Sequence, residues 1–302
     1  MNETEAIEIF TGPIPTLRTP YTRDGDIDFN ALRRMIDFDI DAGAKVVVLT
    51  AGDSHYDAMS DAQIECITKF VIEHVAGRVA VVTADRNFDT KQAVAFARRC
   101  RELGSDIHMV RPPDWGGSCS PVTLAEHYAA VAGEMPVMIV TNIFISRGHD
   151  FGMETVSRAL DASDRILAIK DDMCGLFAQE LAARFSDRCA IWAGGRKQNH
   201  INMATFGAHG YLSTFLTFKP DVAHRYWDAW REGRVADAAE VISSIDIPFF
   251  SLICGMRGGF DAGLHGVLEL FGLAERWRPK PYVSLDDAEM EQLKVGLAAI
   301  GV

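Results

Sequence analysis

Short apolar runs alternate with helix-forming segments along most of this chain, and this alternation most limits how it can fold. Eight such runs begin between Pro13 and Gly210, about 28 residues apart, which suits one strand, one helix and short loops. Runs that are apolar on both faces are typical of strands in a parallel sheet covered on both sides. Eight consecutive units predict an α/β fold, a (β/α)8 TIM barrel, rather than an open doubly wound sheet.

The two ends of the chain depart from this alternation. Residues 1–11 are polar and are expected to form an N-terminal tail, and residues 12–221 are expected to form the barrel. From about Val222 the segments are helical in character with no strands between them, so residues 222–302 are expected to be a C-terminal helical extension. Neither GxGxxG after the first strand nor GxxxxGK[ST] is present, which agrees with a barrel rather than an open doubly wound sheet.

The composition of the chain limits the kinds of molecule that it is expected to bind. The net charge of −12 over 302 residues argues against nucleic acid and anionic membranes. No apolar run approaches the roughly 20 residues that span a bilayer, and the acidic N-terminus lacks the layout of a signal peptide. The six cysteines and nine histidines show no metal-ligand spacing, so we expect free thiols in a reducing cytoplasm and no metal.

A lysine at the end of one apolar run is the best candidate for chemistry. Ile166–Ile169 are apolar, and Lys170 follows them directly, before two aspartates. Active sites of barrels lie where the strands emerge at their carboxyl ends, and of the eight runs only this one places a lysine there. Partial burial disfavours an ammonium group, and a neutral amine attacks carbonyl carbon, so Lys170 suits a Schiff-base nucleophile. The plain alternative is a lysine that reaches from a strand end into solvent.

The loop after the seventh strand offers a competing interpretation. Gly194, Gly195 and Arg196 could hold a phosphate group, as loops after strands seven and eight often do in barrels. A tight glycine turn with a solvated arginine is the favoured interpretation, and residues 213–216 lack the glycines that usually complete a phosphate cup.

Several motifs occur in the order and spacing of a known family. They are Pro15–Tyr21 with Asp24–Asp28, Ile169-Lys170-Asp171, Gly194-Gly195, Gly207–Ser213 and Arg278–Pro281. In these motifs the chain resembles the dihydrodipicolinate synthase / N-acetylneuraminate lyase family of class I, Schiff-base-forming aldolases, from about Gly12 to the C-terminus. The resemblance implies a barrel with a three-helix extension, a homotetramer or dimer, and no cofactor beyond a covalent imine. It also implies pyruvate or another 2-oxo acid bound to Lys170 as an imine, which is an electron sink.

The chain departs from the family in the loop after the second strand. The family's GTTGE loop, which holds the substrate carboxylate, is replaced by Ala51–His55, so that Gly52 and Asp53 stand where two threonines would be. A carboxylate beside a bound carboxylate is repulsive unless it is protonated or turned away. Ser54 and backbone N–H groups remain as candidates to bind the anion. His55 stands at the position of the family's glutamate, and Tyr56 follows it.

The family's catalytic tyrosine is also replaced. Thr141, before Asn142, aligns with it, and a threonine hydroxyl is a poor proton relay without help. Residues 112–115 stand where the family often has a second tyrosine. His55 and Tyr56 are therefore the candidate replacement proton carriers, against a plain interpretation as a loop histidine and a packing tyrosine.

The sequence predicts a Schiff-base lyase, either an aldolase or a dehydratase, that acts on a small 2-oxo acid and does not synthesise dihydrodipicolinate. The candidate catalytic residues are Lys170, Thr141, His55 and Tyr56. The candidate substrate-binding residues are Gly52, Asp53, Ser54, Asn142, Arg147, Gly194, Gly195 and Ser213. Two alternatives stay open: a phosphosugar enzyme without an imine, and an inactive barrel that only binds a 2-oxo acid.

Overall fold

The computed structural model describes residues Met1–Val302 and contains one sheet of eight parallel strands. Hydrogen bonds join neighbours in the order β1-β8-β7-β6-β5-β4-β3-β2, which leaves only the β1–β2 seam unpaired, and the sheet forms a nearly closed barrel. The predicted (β/α)8 fold is thereby confirmed. The strands are β1 Gly12–Ile14, β2 Val46–Val48, β3 Ala80–Ala84, β4 Ile107–Val110, β5 Val137–Val140, β6 Ile166–Asp171, β7 Ala190–Ala193 and β8 Gly210–Leu212.

Thirteen α-helices accompany the strands. Those before the end of the sheet are α1 Glu3–Ile9, α2 Phe29–Asp41, α3 Asp61–Val75, α4 Thr90–Leu103, α5 Pro121–Ala132, α6 His149–Ala162, α7 Gly175–Phe185 and α8 Lys197–Met203. Those after it are α9 Pro220–Arg231, α10 Val235–Val241, α11 Ile247–Gly255, α12 Gly259–Leu270 and α13 Asp287–Ala299. A short π-helical segment, Ile242–Asp246, joins α10 to α11.

The apolar runs form strands because both of their faces are covered. All six residues of β6 are buried, including Lys170 and Asp171 at its carboxyl end. Between strands, capping boxes fix where three of the helices begin: Ser60 caps α3, Asp89 caps α4 and Ser120 caps α5. Defined helix starts keep the loops short, so the strand ends reach one edge of the sheet in a fixed arrangement.

The first eleven residues, expected to be a tail, contain a helix instead. Asn2 caps α1 through a capping box with Glu5, and Ala6 and Phe10 are fully buried. The Phe10 ring stacks on Trp192 of β7, with 5.8 Å between ring centroids. Apolar side chains interrupted by Glu3, Glu5 and Glu8 do not by themselves predict burial, which the contact of Phe10 with Trp192 supplies.

The chain divides into two compact units, which differ from the expected division at residue 222. The first unit comprises Met1–Ile14 and Lys45–Leu212, and it contains every strand. The second comprises Pro15–Ala44 and Ser213–Val302. Within the second unit, a cluster of aromatic rings forms the core, and Phe249 lies at its centre against Phe215, 4.6 Å between centroids, and Phe218, 5.5 Å.

One stretch of the second unit bears on the expectation about apolar runs. Val235–Gly255, which is helical throughout, is long and apolar enough to cross a membrane by length and composition alone. A core helix of a soluble protein passes the same test, and 44% of the most apolar window of this stretch is buried, so the finding is weak evidence for a membrane span.

Candidate active site

A cavity of about 200 Å³ opens at the carboxyl ends of strands β2 to β6, where the sequence predicts the active site. Every residue around it belongs to the first unit. It is lined by Thr50, Ala51, Gly52, Asp53, Asp85, Met109, Arg111, Val140, Asn142, Lys170 and Asp172. The cavity is small, and it contains two cationic and three carboxylate side chains.

Lys170 reaches this cavity from the end of β6 and is only 8% exposed. Its Nζ donates hydrogen bonds to both carboxylate oxygens of Asp172, at 2.6 and 2.7 Å. The ammonium group also lies 5.8 Å from the ring centroid of Trp192, a distance at which a cation interacts with an aromatic face. Lys170 is therefore buried, held in one position and directed at the space in which a ligand would bind.

Gly194, at the end of β7, leaves room for the Asp172 carboxylate. A Cβ atom built on Gly194 would lie 1.8 Å from Oδ1 of Asp172 and 2.7 Å from the carbonyl oxygen of Asp171. The Gly194 N–H donates a 2.6 Å hydrogen bond to that same carbonyl. No side chain fits at this position while Asp172 keeps its contact with Lys170.

Thr141 does not line the cavity, and its hydroxyl is occupied by the loop after β6. Its Oγ1 donates to Oδ1 of Asp171 at 3.0 Å and accepts from the backbone N–H of Asp172 at 2.8 Å and of Met173 at 3.3 Å. The predicted catalytic role of Thr141 stays a prediction, but this geometry favours a role in holding Asp172 in place.

Asp171, beside the lysine, is a buried anchor and does not line the cavity. Its carboxylate accepts hydrogen bonds from the Thr141 hydroxyl, the N–H groups of Met173 and Cys174, and the side-chain amide of Asn199. Burial raises the pKa of Asp171, although these hydrogen bonds favour the charged form. The four contacts fix the turn that carries Asp172.

The loop after β2 folds into tight turns that separate its predicted site residues. Gly52 and Asp53 line the cavity, whereas Ser54 is fully buried and its Oγ accepts from the N–H of Thr50 at 3.1 Å. His55 is buried, with a left-handed backbone at φ 61°, and does not line the cavity. Tyr56 is completely buried, and burial raises the pKa of its phenol.

Four further predicted residues lie in different places. Asn142 lines the cavity, but Arg147 does not: it forms an ion pair of 2.5 Å with Asp114 and lies over the Phe151 ring. Gly195 is exposed, with φ 88°, outside the cavity lining. Ser213, in the second unit, accepts a hydrogen bond from the Leu216 N–H and caps a short 3₁₀ helix.

The structure adds Arg111 and Asp85 to the site. Arg111, directly after β4, lines the cavity and pairs with Asp57 at 3.2 Å, while its N–H donates to Oδ1 of Asp85 at 2.7 Å. The other oxygen of Asp85 lies 3.5 Å from Nε2 of His108, which is fully buried. Burial alone would lower the pKa of His108, but contacts with Asp85 and Cys100 outweigh it and raise that pKa to about 9.

A sequence signal for these added residues exists. Arg111 and Asp85 follow strands directly and Lys170 lies at the end of one, and charged residues at the carboxyl ends of barrel strands are candidates for the site. Asp172 is two residues from Lys170 and could have been included on the same ground.

The barrel is nearly closed, and a buried lysine lies in a cavity at the carboxyl ends of its strands. These features place the protein in the class of barrel enzymes whose active sites lie at the strand ends. The family profile described as the Dihydrodipicolinate synthetase family matches residues 9–300. The chain belongs to that family, as the motif resemblance implied.

Proteins with similar sequences are named for several different activities. The probable 2-dehydro-3-deoxy-D-pentonate aldolase YjhH of Escherichia coli is 27% identical over 81% of this chain and 85% of its own length. A 4-hydroxy-tetrahydrodipicolinate synthase of Gluconacetobacter diazotrophicus is 25% identical over 97% and 98%. An L-2-keto-3-deoxyarabonate dehydratase of Azospirillum brasilense is 27% identical over 75% and 74%.

Solved structures show the same fold. Dihydrodipicolinate synthase from Oceanobacillus iheyensis superposes with a TM-score of 0.85 at 17% identity, covering 99% of each chain. N-acetylneuraminate lyase from Fusobacterium nucleatum superposes with a TM-score of 0.84 at 16% identity, covering 97% of this chain and 99% of the other. The family and its relatives are lyases and aldolases, so the chain falls in this broad enzyme class.

Proposed function

We propose that this protein is a Schiff-base-forming lyase that binds a small 2-oxo acid as an imine on Lys170. One observation carries the proposal: the buried amine of Lys170 lies in a cavity at the carboxyl ends of the strands, where barrel enzymes carry their chemistry. Family membership supports the same class of reaction. A protonated imine withdraws electrons from the neighbouring carbon, which stabilises the enamine left when a carbon–carbon bond breaks or a proton departs.

The cavity suits a small, polar substrate. Its volume of about 200 Å³ is below that of sites for drug-sized ligands, which start near 300 Å³. We propose that Arg111 binds a carboxylate of the substrate, because a guanidinium can donate two parallel hydrogen bonds to a carboxylate. Thr50, Gly52 and Asn142 supply further polar edges at which hydroxyl groups of a longer 2-oxo acid could be bound.

Among the family's reactions, cleavage or dehydration of a sugar-derived 2-oxo acid is our preferred assignment over dihydrodipicolinate synthesis. Two relatives support it, a probable 2-dehydro-3-deoxy-D-pentonate aldolase and an L-2-keto-3-deoxyarabonate dehydratase. The tyrosine hydroxyl that the resemblance leads one to expect at the end of β5 is a threonine here, and its Oγ1 is bonded to the loop after β6.

The phosphosugar alternative is disfavoured by charge. A phosphate held at Gly194 and Gly195 would meet the Asp172 carboxylate, which fills the space beside the Gly194 Cα. Two anions at this distance repel each other unless a cation lies between them. The binding-only alternative differs from the proposal by turnover alone, and assays with a panel of sugar-derived 2-oxo acids separate the two.

Borohydride trapping tests the imine directly. The protein is incubated with pyruvate and sodium borohydride, and intact-mass spectrometry with peptide mapping then locates any reduced adduct. We expect one pyruvyl group on Lys170, none in Lys170→Ala, and an unchanged adduct in Lys91→Ala, which removes an exposed lysine on α4. No adduct with pyruvate or with longer 2-oxo acids would overturn the imine mechanism.

We also propose that the protein is cytoplasmic and assembles as a homotetramer or a homodimer, binding neither nucleic acid nor membranes. Its net charge of −12 supports the absence of anionic polymers as partners. Two large apolar side chains of the first unit, Trp115 and Leu176, are 92% and 79% exposed, and self-association would bury such groups. Sedimentation velocity measures the assembly, and a monomer at micromolar concentration would contradict it.

A further inference from the structure

Asp172 is the group closest to the nucleophile, and no role has been assigned to it so far. Both of its oxygens lie within 2.7 Å of Lys170 Nζ, and its side chain is 20% exposed at the edge of the cavity. An ion pair of this kind has a cost for catalysis, because a carboxylate stabilises the ammonium form of the lysine, which is not nucleophilic. The arrangement therefore needs a chemical explanation.

The other candidate proton carriers are engaged or placed elsewhere. Thr141 uses its hydroxyl to hold the loop after β6, as donor to Asp171 and acceptor from the Asp172 N–H. Tyr56 is completely buried and faces Thr68, and His55 does not line the cavity. Asp172 is thus the titratable side chain that combines contact with Lys170 and access to the cavity.

We propose that Asp172 is the proton carrier for imine formation on Lys170, a catalytic residue in its own right. This inference rests on the proposed function and deepens it. General acid–base catalysis needs a group within about 2.6–3.2 Å of the proton it moves, and Asp172 meets that distance on both of its oxygens.

The step balances without any further reactant. Asp172 takes a proton from the Lys170 ammonium, and the free amine forms a bond to the carbonyl carbon of the 2-oxo acid while the C=O π bond breaks. The protonated Asp172 gives its proton to the carbonyl oxygen, which becomes a hydroxyl group, and the resulting carboxylate removes a proton from the bound nitrogen. It then returns that proton to the hydroxyl, which leaves as water. A protonated imine and an ionised Asp172 remain, so both the charge and the hydrogen count are conserved.

The surrounding residues hold Asp172 for this task. Thr141 fixes the backbone of Asp172 through a 2.8 Å hydrogen bond, and Gly194 leaves the space that its carboxylate occupies. Both are positioning residues, because neither touches the position of the substrate. The same arrangement explains how a barrel without a tyrosine at the end of β5 can still move a proton to and from the imine nitrogen.

Single-turnover trapping is the test. Wild type, Asp172→Asn and the exposed-site control Asp161→Asn are mixed with pyruvate, quenched with borohydride at increasing times, and analysed by mass spectrometry. We expect the rate of adduct formation to fall by about 10²-fold or more in Asp172→Asn, the usual effect of losing a general acid–base, and to stay unchanged in Asp161→Asn. A second variant, Asp172→Ala, opens space in which added formate can act in place of the carboxylate.

Chemical rescue distinguishes catalysis from a structural role. Formate is expected to raise the trapping rate of Asp172→Ala in proportion to its concentration, whereas sodium chloride at equal ionic strength is not. An Asp172→Asn rate equal to that of wild type, or an Asp172→Ala rate that formate leaves unchanged in protein of native circular dichroism, would overturn the inference. If Asp172→Asn does not fold, the formate series decides alone. If wild type itself forms no adduct, the proposed function fails as well.

Discussion

The carboxylate of Asp172 occupies the space in which a side chain at Gly194 would begin. This relationship between two strand ends, β6 and β7, joins the nucleophile to its ion-pair partner, because the same carboxylate holds Lys170. A glycine that looked like a turn residue in the sequence is therefore a steric requirement of the site.

Replacing Gly194 with alanine is expected to displace Asp172 and to reduce kcat/KM by about 10²-fold, as expected when a general acid–base is moved. The new Cβ would also meet the Asp171 carbonyl oxygen at 2.7 Å, so we expect a loss of about 1–3 kcal/mol in unfolding free energy. Gly255→Ala is the matched control, since nothing lies within 4 Å of its Cβ and its φ is not in the left-handed region. Steady-state kinetics and urea unfolding measure both effects; an active Gly194→Ala variant would contradict the steric argument.

Thr141→Val removes the hydroxyl that holds the loop after β6. Two backbone N–H groups and one oxygen of Asp171 lose a partner, which should cost about 1–3 kcal/mol of stability and lower kcat. Thr141→Ser keeps the hydroxyl and is expected to retain most of the activity. Equal activity of the serine and valine variants would show that the hydroxyl does not position Asp172.

Arg111→Ala is expected to raise KM by about 10- to 100-fold, the scale of one charge-assisted hydrogen bond of about 1.5–3 kcal/mol, with a smaller change in kcat. Arg111→Lys keeps the charge but loses the two-pronged geometry, so an intermediate KM is expected. Arg99→Ala removes an exposed arginine that pairs with Glu65 and serves as the control. An unchanged KM in Arg111→Ala would place the substrate carboxylate elsewhere in the cavity.

His108 makes the stability of the barrel depend on pH in a defined direction. Its pKa is raised to about 9 in the folded chain, against 6.5 for an ordinary histidine, because the contacts with Asp85 and Cys100 outweigh the opposing effect of burial. A raised histidine pKa gives stability that is complete below pH 6.5 and is lost as pH rises through about 9.

Thermal unfolding between pH 6 and pH 9.5 measures that dependence. Wild type is expected to lose stability across this window, and His108→Gln is expected to show a flatter profile. His74→Gln, at the end of α3, is the control and should keep the slope of wild type. Parallel profiles for wild type and His108→Gln would show that the imidazole is not charged in the folded protein.

Phe10→Ala tests the N-terminal helix. Truncation of a buried phenylalanine to alanine lowers the free energy of unfolding by about 3–5 kcal/mol where the structure cannot relax. If α1 detaches from the barrel, the loss is limited to the stability that this helix contributes. Asn2→Ala removes only the cap and is expected to cost about 0.5–2 kcal/mol. Denaturant unfolding measures both variants, and we expect a much lower free energy of unfolding for Phe10→Ala than for Asn2→Ala. The opposite order would mean that the stacking on Trp192 contributes little to stability.

The fold could be predicted from sequence because each strand carries its own signal. Ile166–Ile169 and Val46–Val48 are apolar on both faces, and Ser60 marks a helix start with a capping residue. The helix at Glu3–Ile9 also carries a start signal, Asn2 with Glu5, but it is only seven residues long and its burial depends on Phe10 meeting Trp192, which is far away in the sequence.

The site could be predicted only in part, for a geometric reason. Lys170, Asn142 and Gly52 lie at strand ends and line the cavity, and their roles there stay predictions. The direction of a loop side chain depends on backbone turns that spacing does not reveal. The left-handed turn at His55 carries Tyr56 away from the cavity.

Trp192 is placed to serve as an intrinsic fluorescent probe of the site. Its ring is stacked on Phe10 on the barrel side and lies 5.8 Å from the Lys170 nitrogen, so it is shielded from water and close to a charge. Indole emission responds to a nearby charge, and imine formation converts the Lys170 ammonium group beside the ring into a protonated imine bonded to the substrate. A variant that keeps Trp192 as its only tryptophan would therefore report occupancy of the lysine in real time by fluorescence, without a coupled enzyme or a labelled ligand. Unknown substrates could then be screened by light emission alone.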